Sequence, residues 1–411
     1  MAELQIPLDI ESLTIISQEI DKKGNVIITV ESKKAETTCH KCGKPATKRY
    51  GYAPPIQVRH LPIFDRPVYL QIKPVRYQCD HCSTVTTEQY DWCERKAKTT
   101  KGLDDYLARR MINSTAVDVS RKERIGYKTV MAAIDRQVNR EVDWSQHHDL
   151  HTIGIDEISD KKGHQDYLTI ISARNKLGEL SILAVLKGRH KETVKSFLGS
   201  IPAHLKKTVK SVCTDMYDGF VNAAIEVFGQ QAVVVDRYHV AKLYRKPLDQ
   251  LRIKEMKRLK EELAPEEYAK LEGMMWILRK QHECLTEADK DKLALLYRYS
   301  PILKKAHRHA LKLTHIFNTH TNRKSAMAKI NRWIASVKKS DLSCFDSFIE
   351  TLKKYQAGIA NYFKVRHNSG FVEGLNNKIE VVKRRCYGFF KTESLFQRLF
   401  LDLQGYKAYG L

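Results

Sequence analysis

Two kinds of residue in this sequence are spaced for metal chemistry: paired cysteines near the start, and acids that follow apolar runs further on. Cys39-His40-Lys41-Cys42 and Cys79-Asp80-His81-Cys82 are two Cys-x-x-Cys turns. Each spacing lets one tight turn aim two thiolates at one ion, and two such turns complete a closed, tetrahedral structural Zn2+ site. Redox use of the pairs is the competing reading. His40 and His81 lie inside the turns as spare ligands that two full cysteine pairs make unnecessary. The intervening chain is long enough for the strands of a ribbon, which either binds nucleic acid or braces a domain.

The acids are Asp156, Asp215 and Glu373. Asp156 is expected to end the strand Ile153-Gly154-Ile155-Asp156-Glu157, and Asp215 the strand Val212-Cys213-Thr214-Asp215. Adjacent strand ends place two carboxylates together, where each opposes the other's ionisation unless a divalent cation sits between them. Glu373 lies in Gly370-Phe371-Val372-Glu373-Gly374-Leu375-Asn376-Asn377, on a helix whose core stripe is Val372, Leu375, Ile379 and Val382. Two strand-end aspartates and one helical glutamate are the donor set that two-metal phosphodiester chemistry needs, with two Mg2+ or Mn2+ ions per site. Glu380 and Asp236 compete for the third position, and Glu157 and Asp218 for the first two. Glu373 ranks first because Gly370 and Gly374 flank it, removing bulk where a substrate must approach. Asn376, Asn377 and Arg384 share its side of the helix, and with Lys378, Lys383 and Arg385 they form a strip suited to a phosphate backbone.

Positioning these residues takes several elements, and the chain reads as a multidomain α/β protein. Residues 1–98 are short β runs broken by Pro54, Pro55, Pro62, Pro67 and Pro74, a β-rich zinc-binding domain. Residues 99–145 hold three short helical patterns, expected as a helix-turn-helix unit in which Val130 and Ile134 face inward while Tyr127, Lys128 and Arg136 reach a groove or phosphates. Arg124 stands in the turn where many such motifs carry Gly, and a plain helical linker is the alternative. Residues 150–240 follow the order β-β-β-α-β-α-β and form the first part of the core. Residues 241–364 are helical throughout by pattern, a long all-α insertion with breaks expected at Pro265, Pro301 and Gly358. Residues 365–411 are expected to return to the core, starting with a helix near 369–385 capped by Asn368 or Ser369 and ended by Gly388.

Lys and Arg number 71 against 48 Asp and Glu, a formal charge of +23, which points to a polyanion partner. No apolar run is long enough to span a bilayer, and the start has no basic segment followed by an apolar one, so a soluble, cytoplasmic protein is expected. Nine cysteines, four of them in two pairs, suit a reducing compartment with one metal site better than a disulfide framework.

The chain resembles the ISL3 family of bacterial insertion-sequence transposases, which are DDE enzymes. The residues that carry the likeness are the cysteine pairs, Gly154-Ile155-Asp156-Glu157, Thr214-Asp215-Met216, Asp236-Arg237-Tyr238-His239-Val240, and the stretch from Glu373-Gly374-Leu375-Asn376-Asn377-Lys378 to Lys383-Arg384-Arg385-Cys386-Tyr387-Gly388-Phe389. The resemblance implies a ribonuclease-H-like mixed sheet, a catalytic triad of Asp156, Asp215 and Glu373, and cut-and-paste movement of an element with inverted terminal repeats. Double-stranded DNA is then the partner, no small molecule is the substrate, and a homodimer is expected on DNA because two ends must be joined. A transposase-derived DNA-binding regulator and a nuclease that cuts without joining are the competing functions. Three intact acids facing a polyanion argue against the regulator.

Overall fold

The computed structural model describes residues 7–159, 167–280, 282–365, 370–386 and 391–410. It divides into two compact units, one of Met1–Glu141 with Arg384–Leu411 and one of Val142–Lys383.

The first unit begins with β1 (Leu13–Ile20), β2 (Val26–Ser32), β3 (Thr37–Thr38), β4 (Pro45–Ala46), β5 (Lys48–Tyr52), β6 (Ile56–Ile63), β7 (Arg66–Ile72), β8 (Val75–Gln78) and β9 (Val85–Thr87). Their main sheet has the order β1-β2-β7-β6, and β5-β8-β9 form a second. Period-2 alternation decides which face of β7 turns inward: Val68, Leu70 and Ile72 are buried together against Ile28, Val30 and Val58. The β6–β7 turn puts Phe64 and Asp65 in the left-handed region, at φ 47° and 61°, which matches the twist of the flanking strands.

Three helices follow: α1 (Lys101–Met111), α2 (Ala116–Lys122) and α3 (Tyr127–Gln137). Thr100 and Thr115 cap the first two, their side chains accepting from Leu103 N and Asp118 N. Arg124 takes φ 52° in the turn before α3, so this turn forms with an arginine in the conformation that glycine holds more cheaply.

In the second unit, β10 (Thr152–Ser159), β11 (Tyr167–Arg174) and β12 (Leu180–Lys187) precede α4 (Lys191–Ser200), α5 (Ala203–Lys206), β13 (Ser211–Thr214), α6 (Asp218–Phe228) and β14 (Val233–Val235). The sheet order is β12-β11-β10-β13-β14. β10, β11 and β12 pair antiparallel, whereas β13 runs parallel to both β10 and β14. Every residue of the parallel strands β13 and β14 is buried, because both faces are covered.

The helical region comprises α7 (Arg237–Glu262), α8 (Pro265–Ala269), α9 (Met274–Ile277), α10 (Glu287–Tyr299), α11 (Pro301–Asn318), α12 (Arg323–Lys338), α13 (Asp346–Lys354) and α14 (Gln356–Val365). Pro265 and Pro301 occupy first-turn positions of α8 and α11, where the missing N–H costs nothing. Gly358 does not break its helix. It lies inside α14, and a Cβ there would stand 2.7 Å from Val235 Cγ2, so the glycine lets α14 close directly onto β14. No described helix is long and apolar enough to cross a membrane.

The last two helices are α15 (Gly370–Arg385) and α16 (Thr392–Ala408). Asn368, Ser369 and Gly388, the expected ends of α15, lie outside the described residues. The segment 365–411 does not return to the core as one piece, because the division between the units falls in the last turn of α15. Leu401 of α16 is buried with Leu103, Leu107, Val130 and Ile134 of α1 and α3. Gln397 donates to Val138 O at 2.8 Å and Arg398 to Met111 O at 2.6 Å.

Candidate active site and metal centre

The cysteine turns are built alike. Gly43 N donates to Cys39 O and Ser83 N to Cys79 O, while Cys39 N and Cys79 N donate across to Lys44 O and Thr84 O. Gly43 and Ser83 both have positive φ, 71° and 55°, so each turn folds back and directs two sulfurs inward. The four sulfurs of Cys39, Cys42, Cys79 and Cys82 lie within 4.8 Å of one another, with Cys39–Cys82 and Cys42–Cys79 both at 3.6 Å. That is far too long for a disulfide, at about 2.05 Å. It is close to the edge of roughly 3.8 Å of a tetrahedron with Zn–S bonds of about 2.3 Å. N–H groups of Cys42 and Lys41 push the Cys39 thiol down to about 6, favouring the thiolate a metal needs. His40 bonds Thr86 and His81 bonds Lys44 through Nδ1, so neither ring belongs to the sulfur cluster.

Asp156 is not at a strand end. β10 continues to Ser159, and Asp156 pairs with Ile170 of β11. On its other side the parallel ladder stops at Ile155 opposite Thr214, which makes Asp156 the first residue of β10 beyond the end of β13. Asp215 follows Thr214 directly, so the two aspartates are the next pair in register, about 4.8 Å apart at the backbone. Thr214 in turn pairs with Val235, and Asp236 extends the row to a third strand. Burial pushes both Asp156 and Asp215 above the usual carboxylate range, and Asp156 adds to the rise at Asp215. Glu157 N and Tyr217 N donate to them in opposition.

α15 reaches this row over Gly154. A Cβ at Gly154 would stand 2.4 Å from Val372 Cγ2 and 3.0 Å from the Phe371 ring; only glycine admits the helix at this depth. One turn on, Asn376 Nδ2 donates to Asp156 Oδ2 at 2.7 Å, while Asn376 Oδ1 is buried with no hydrogen-bond partner among the described residues. Two crowded carboxylates and a neighbouring unpaired carbonyl oxygen are hard donors of the kind Mg2+ and Mn2+ select. Glu373 lies three residues before Asn376 and is exposed. Among the described residues, the cysteines form the only group of three or more candidate ligands close enough to hold one ion, so Glu373 does not close with the two aspartates here.

The rivals have other partners. Glu157 pairs with Arg189 at 3.1 Å, whose guanidinium lies over Tyr167 and Tyr217. Asp218 accepts from Tyr355 at 2.7 Å and from Lys354, and Glu380 pairs with Lys383 at 3.2 Å. Asp236 caps α7, accepting from Tyr238 N at 3.1 Å, and His239 Nε2 lies 3.9 Å from Asp236 Oδ2. The Asp236-x-x-His239 spacing was the available signal for these two residues, since an N-cap and the residue one turn on share a face.

Tyr127 and Lys128 are exposed on the first turn of α3. Arg136 is not free for a groove, contrary to expectation: its Nε donates to Asp104 Oδ2 at 2.7 Å and its Nη2 to Thr99 Oγ1 at 2.7 Å. Asp104 is buried and would be an uncompensated charge without it. In the basic strip, Arg385 is held by Asp402, and Lys383 donates to Ser159 O. Asn377 and Arg384 are exposed.

The chain is similar to transposases over most of its length. A family model described as a transposase matches residues 153–399, and one described as the zinc finger of the IS204, IS1001, IS1096 and IS1165 transposases matches residues 35–82. The chain belongs to the ISL3 family of DDE transposases. It is 27% identical over 369 residues to the transposase for insertion sequence element IS1001 of Bordetella parapertussis, covering 88% of this chain and 87% of that protein. It is 25% identical over 422 residues to the transposase for IS1557 of Mycobacterium tuberculosis, covering 97% and 93%.

Proposed function

We propose that this chain cuts the ends of an insertion sequence and joins them to a target, using a ribonuclease-H-like core in which Asp156, Asp215 and Glu373 hold two Mg2+ or Mn2+ ions. The observation that carries this reading is the register of β10 against β13, which sets Asp156 and Asp215 side by side under the docked α15. Ions held there would supply the positive charge that makes a water or a 3′-hydroxyl nucleophilic and that stabilises a leaving oxygen. Asn376 holds the Asp156 carboxylate in place. Glu373, exposed three residues before Asn376 on the same helix, supplies the third carboxylate. Lys378, Asn377 and Arg384 take phosphates beside the site. The four cysteines hold one structural Zn2+, and α2 with α3 acts as a helix-turn-helix that reads the terminal repeat through Tyr127 and Lys128. Two copies act together, one at each element end, in the cytoplasm.

The test is cleavage of a duplex carrying an element end, followed by strand transfer from a pre-cleaved end. Asp156→Asn, Asp215→Asn and Glu373→Gln should each abolish both reactions and leave end binding intact. Glu380→Gln should remain active. Normal cleavage by all three variants refutes the reading, and an inactive Glu380→Gln beside an active Glu373→Gln reassigns the third ligand. Cleavage without transfer by the parent makes it a nuclease.

A further inference from the structure

Residues 301–340 hold ten lysines and arginines and not one Asp or Glu. They form α11 and α12, joined by the four residues 319–322 into an antiparallel hairpin. Elsewhere in the helical region the cations are commonly neutralised, as Arg252 is by Asp249, Arg258 by Glu255 and Lys280 by Asp289. No residue of the hairpin forms an ion pair among the described residues.

The arrangement on the helices is ordered. The exposed residues Lys305, Arg308, Lys312 and His315 of α11 follow spacings of three, four and three, one continuous stripe. On α12 the exposed stripe is Lys324, Ala328, Arg332, Ala335 and Lys339, the last at the helix C-cap. Short alanines between the cations leave room for a broad partner to lie close. At a rise of about 1.5 Å per residue the α12 stripe is roughly 22 Å long, enough to lie along about six base pairs of duplex at about 3.4 Å each. The opposite faces are apolar and buried, with Leu303, Ala310 and Leu313 on one helix and Ile330, Trp333 and Val337 on the other. Trp333 Nε1 donates to His309 O at 2.8 Å and His309 Nε2 bonds Ser340 Oγ at 3.0 Å, so the two helices are fixed to each other before any ligand arrives.

The hairpin is also connected to the row of aspartates. Asn318, the last residue of α11, accepts from Arg237, the residue directly after Asp236. The connection 319–322 therefore lies near the start of α7, next to Asp236 at the end of the row.

We propose that the solvent face of the α11–α12 hairpin binds the phosphate backbone of the duplex DNA that leads into the carboxylate site. This rests on the reading of the chain as an enzyme acting on DNA. Like-charged side chains held in a row repel one another, and a polyanion relieves that repulsion while releasing its own counterions. The stripes carry no large exposed apolar side chain with which to enter a lipid surface, and a duplex fits their length and straightness.

The experiment compares the full chain with Lys305→Gln/Arg308→Gln/Lys312→Gln, measuring affinity by fluorescence anisotropy on an element-end duplex and on an unrelated duplex between 50 and 200 mM salt. Each lost phosphate contact lowers the slope of log affinity against log salt by about 0.9. Three contacts lower it by about 2.7, so across this range the parent should lose roughly 40-fold more affinity than the variant. The effect should appear on both duplexes. Arg332→Gln/Lys339→Gln should lower the slope by about 1.8, and Lys305→Arg/Lys312→Arg should leave it unchanged. An unchanged slope in both Gln variants at unchanged melting temperature overturns the proposal. So does a loss confined to anionic vesicles or single-stranded RNA. Cleavage is not read, so failure of the carboxylate assignment would show in the substitutions at Asp156 and Asp215 and leave this slope as it is.

Discussion

Gly154→Ala is a substitution of one methyl group whose cost follows from the docking of α15. The new Cβ would stand 2.4 Å from Val372 Cγ2 and 3.0 Å from the Phe371 ring, whereas carbon atoms rest about 3.5–4.0 Å apart. The Val372 methyl must therefore withdraw by more than about 1 Å, and the Phe371 ring closes the alternative direction. Overpacking of this kind costs about 1–3 kcal/mol, which in a unit of this size lowers the melting temperature by about 2–4 °C per kcal/mol. Function should suffer more than stability. Asn376 sits one turn beyond Val372 and holds Asp156 at 2.7 Å, and a misplacement of about 1 Å in such an array costs on the order of 100-fold in rate. Gly374→Ala is the control for thermal unfolding alone, because a Cβ there meets nothing within 4 Å of the chain although it adds bulk on the substrate side. In a helix interior that change should stabilise by about 0.5–1 kcal/mol. The assay is thermal unfolding of both variants alongside single-turnover cleavage of an element-end duplex. If Gly154→Ala melts and cleaves like the parent, or if both variants shift in the same direction, the tight approach of α15 to β10 is wrong.

Two further outcomes follow from the metal centre and the buried acids. Cys39→Ser with Cys42→Ser should abolish binding of one zinc per chain and unfold the module around residues 35–82, since metal binding supplies much of its folding energy; limited proteolysis showing that module intact after zinc loss would contradict this. Asp215, whose carboxyl is held above its usual range by burial, contributes stability that is fully present below its unfolded value of about 3.9 and is lost as pH rises through the higher folded value. Without added divalent ion, Asp215→Asn should therefore melt higher than the parent at pH 8 and the same as it below about pH 4, and a lower melting point at pH 8 would count against the crowded pair.

Much of the site could be read from the chain because its signals are local. Val212-Cys213-Thr214 and Val233-Val234-Val235 are short apolar runs followed by an aspartate, and a buried parallel strand has just that look. What local pattern cannot give is where one strand outlasts its neighbour. Asp156 therefore read as a strand end, although β10 runs three residues further while paired only with β11. Arg136 shows the same limit of local pattern. Its charge suggested a phosphate, but its partner is a buried aspartate 32 positions earlier that only the folded arrangement brings near. Gly358 carried the composition of a break, and its meaning came from Val235 across the interface. The four cysteines needed no such help, because two identical turns encode the geometry of the site within a few residues each.

The first unit is made of two stretches separated by the whole of the second. On the ribosome, residues 142–383 are complete before residue 384 has been added, so the sheet of aspartates can close while the helices of the first unit still lack α16. Until then the cluster of Leu103, Leu107 and Val130 has no Leu401 to cover it. Ile112 has no Gly405, where a Cβ would come within 2.9 Å of it, and Met111 O has no Arg398 to accept from. A chain that stops early, even by thirty residues, would carry both strand aspartates and all four cysteines yet leave its first unit unfinished. The order of synthesis thus brings α16 to that unit only after all of residues 142–383 have been made.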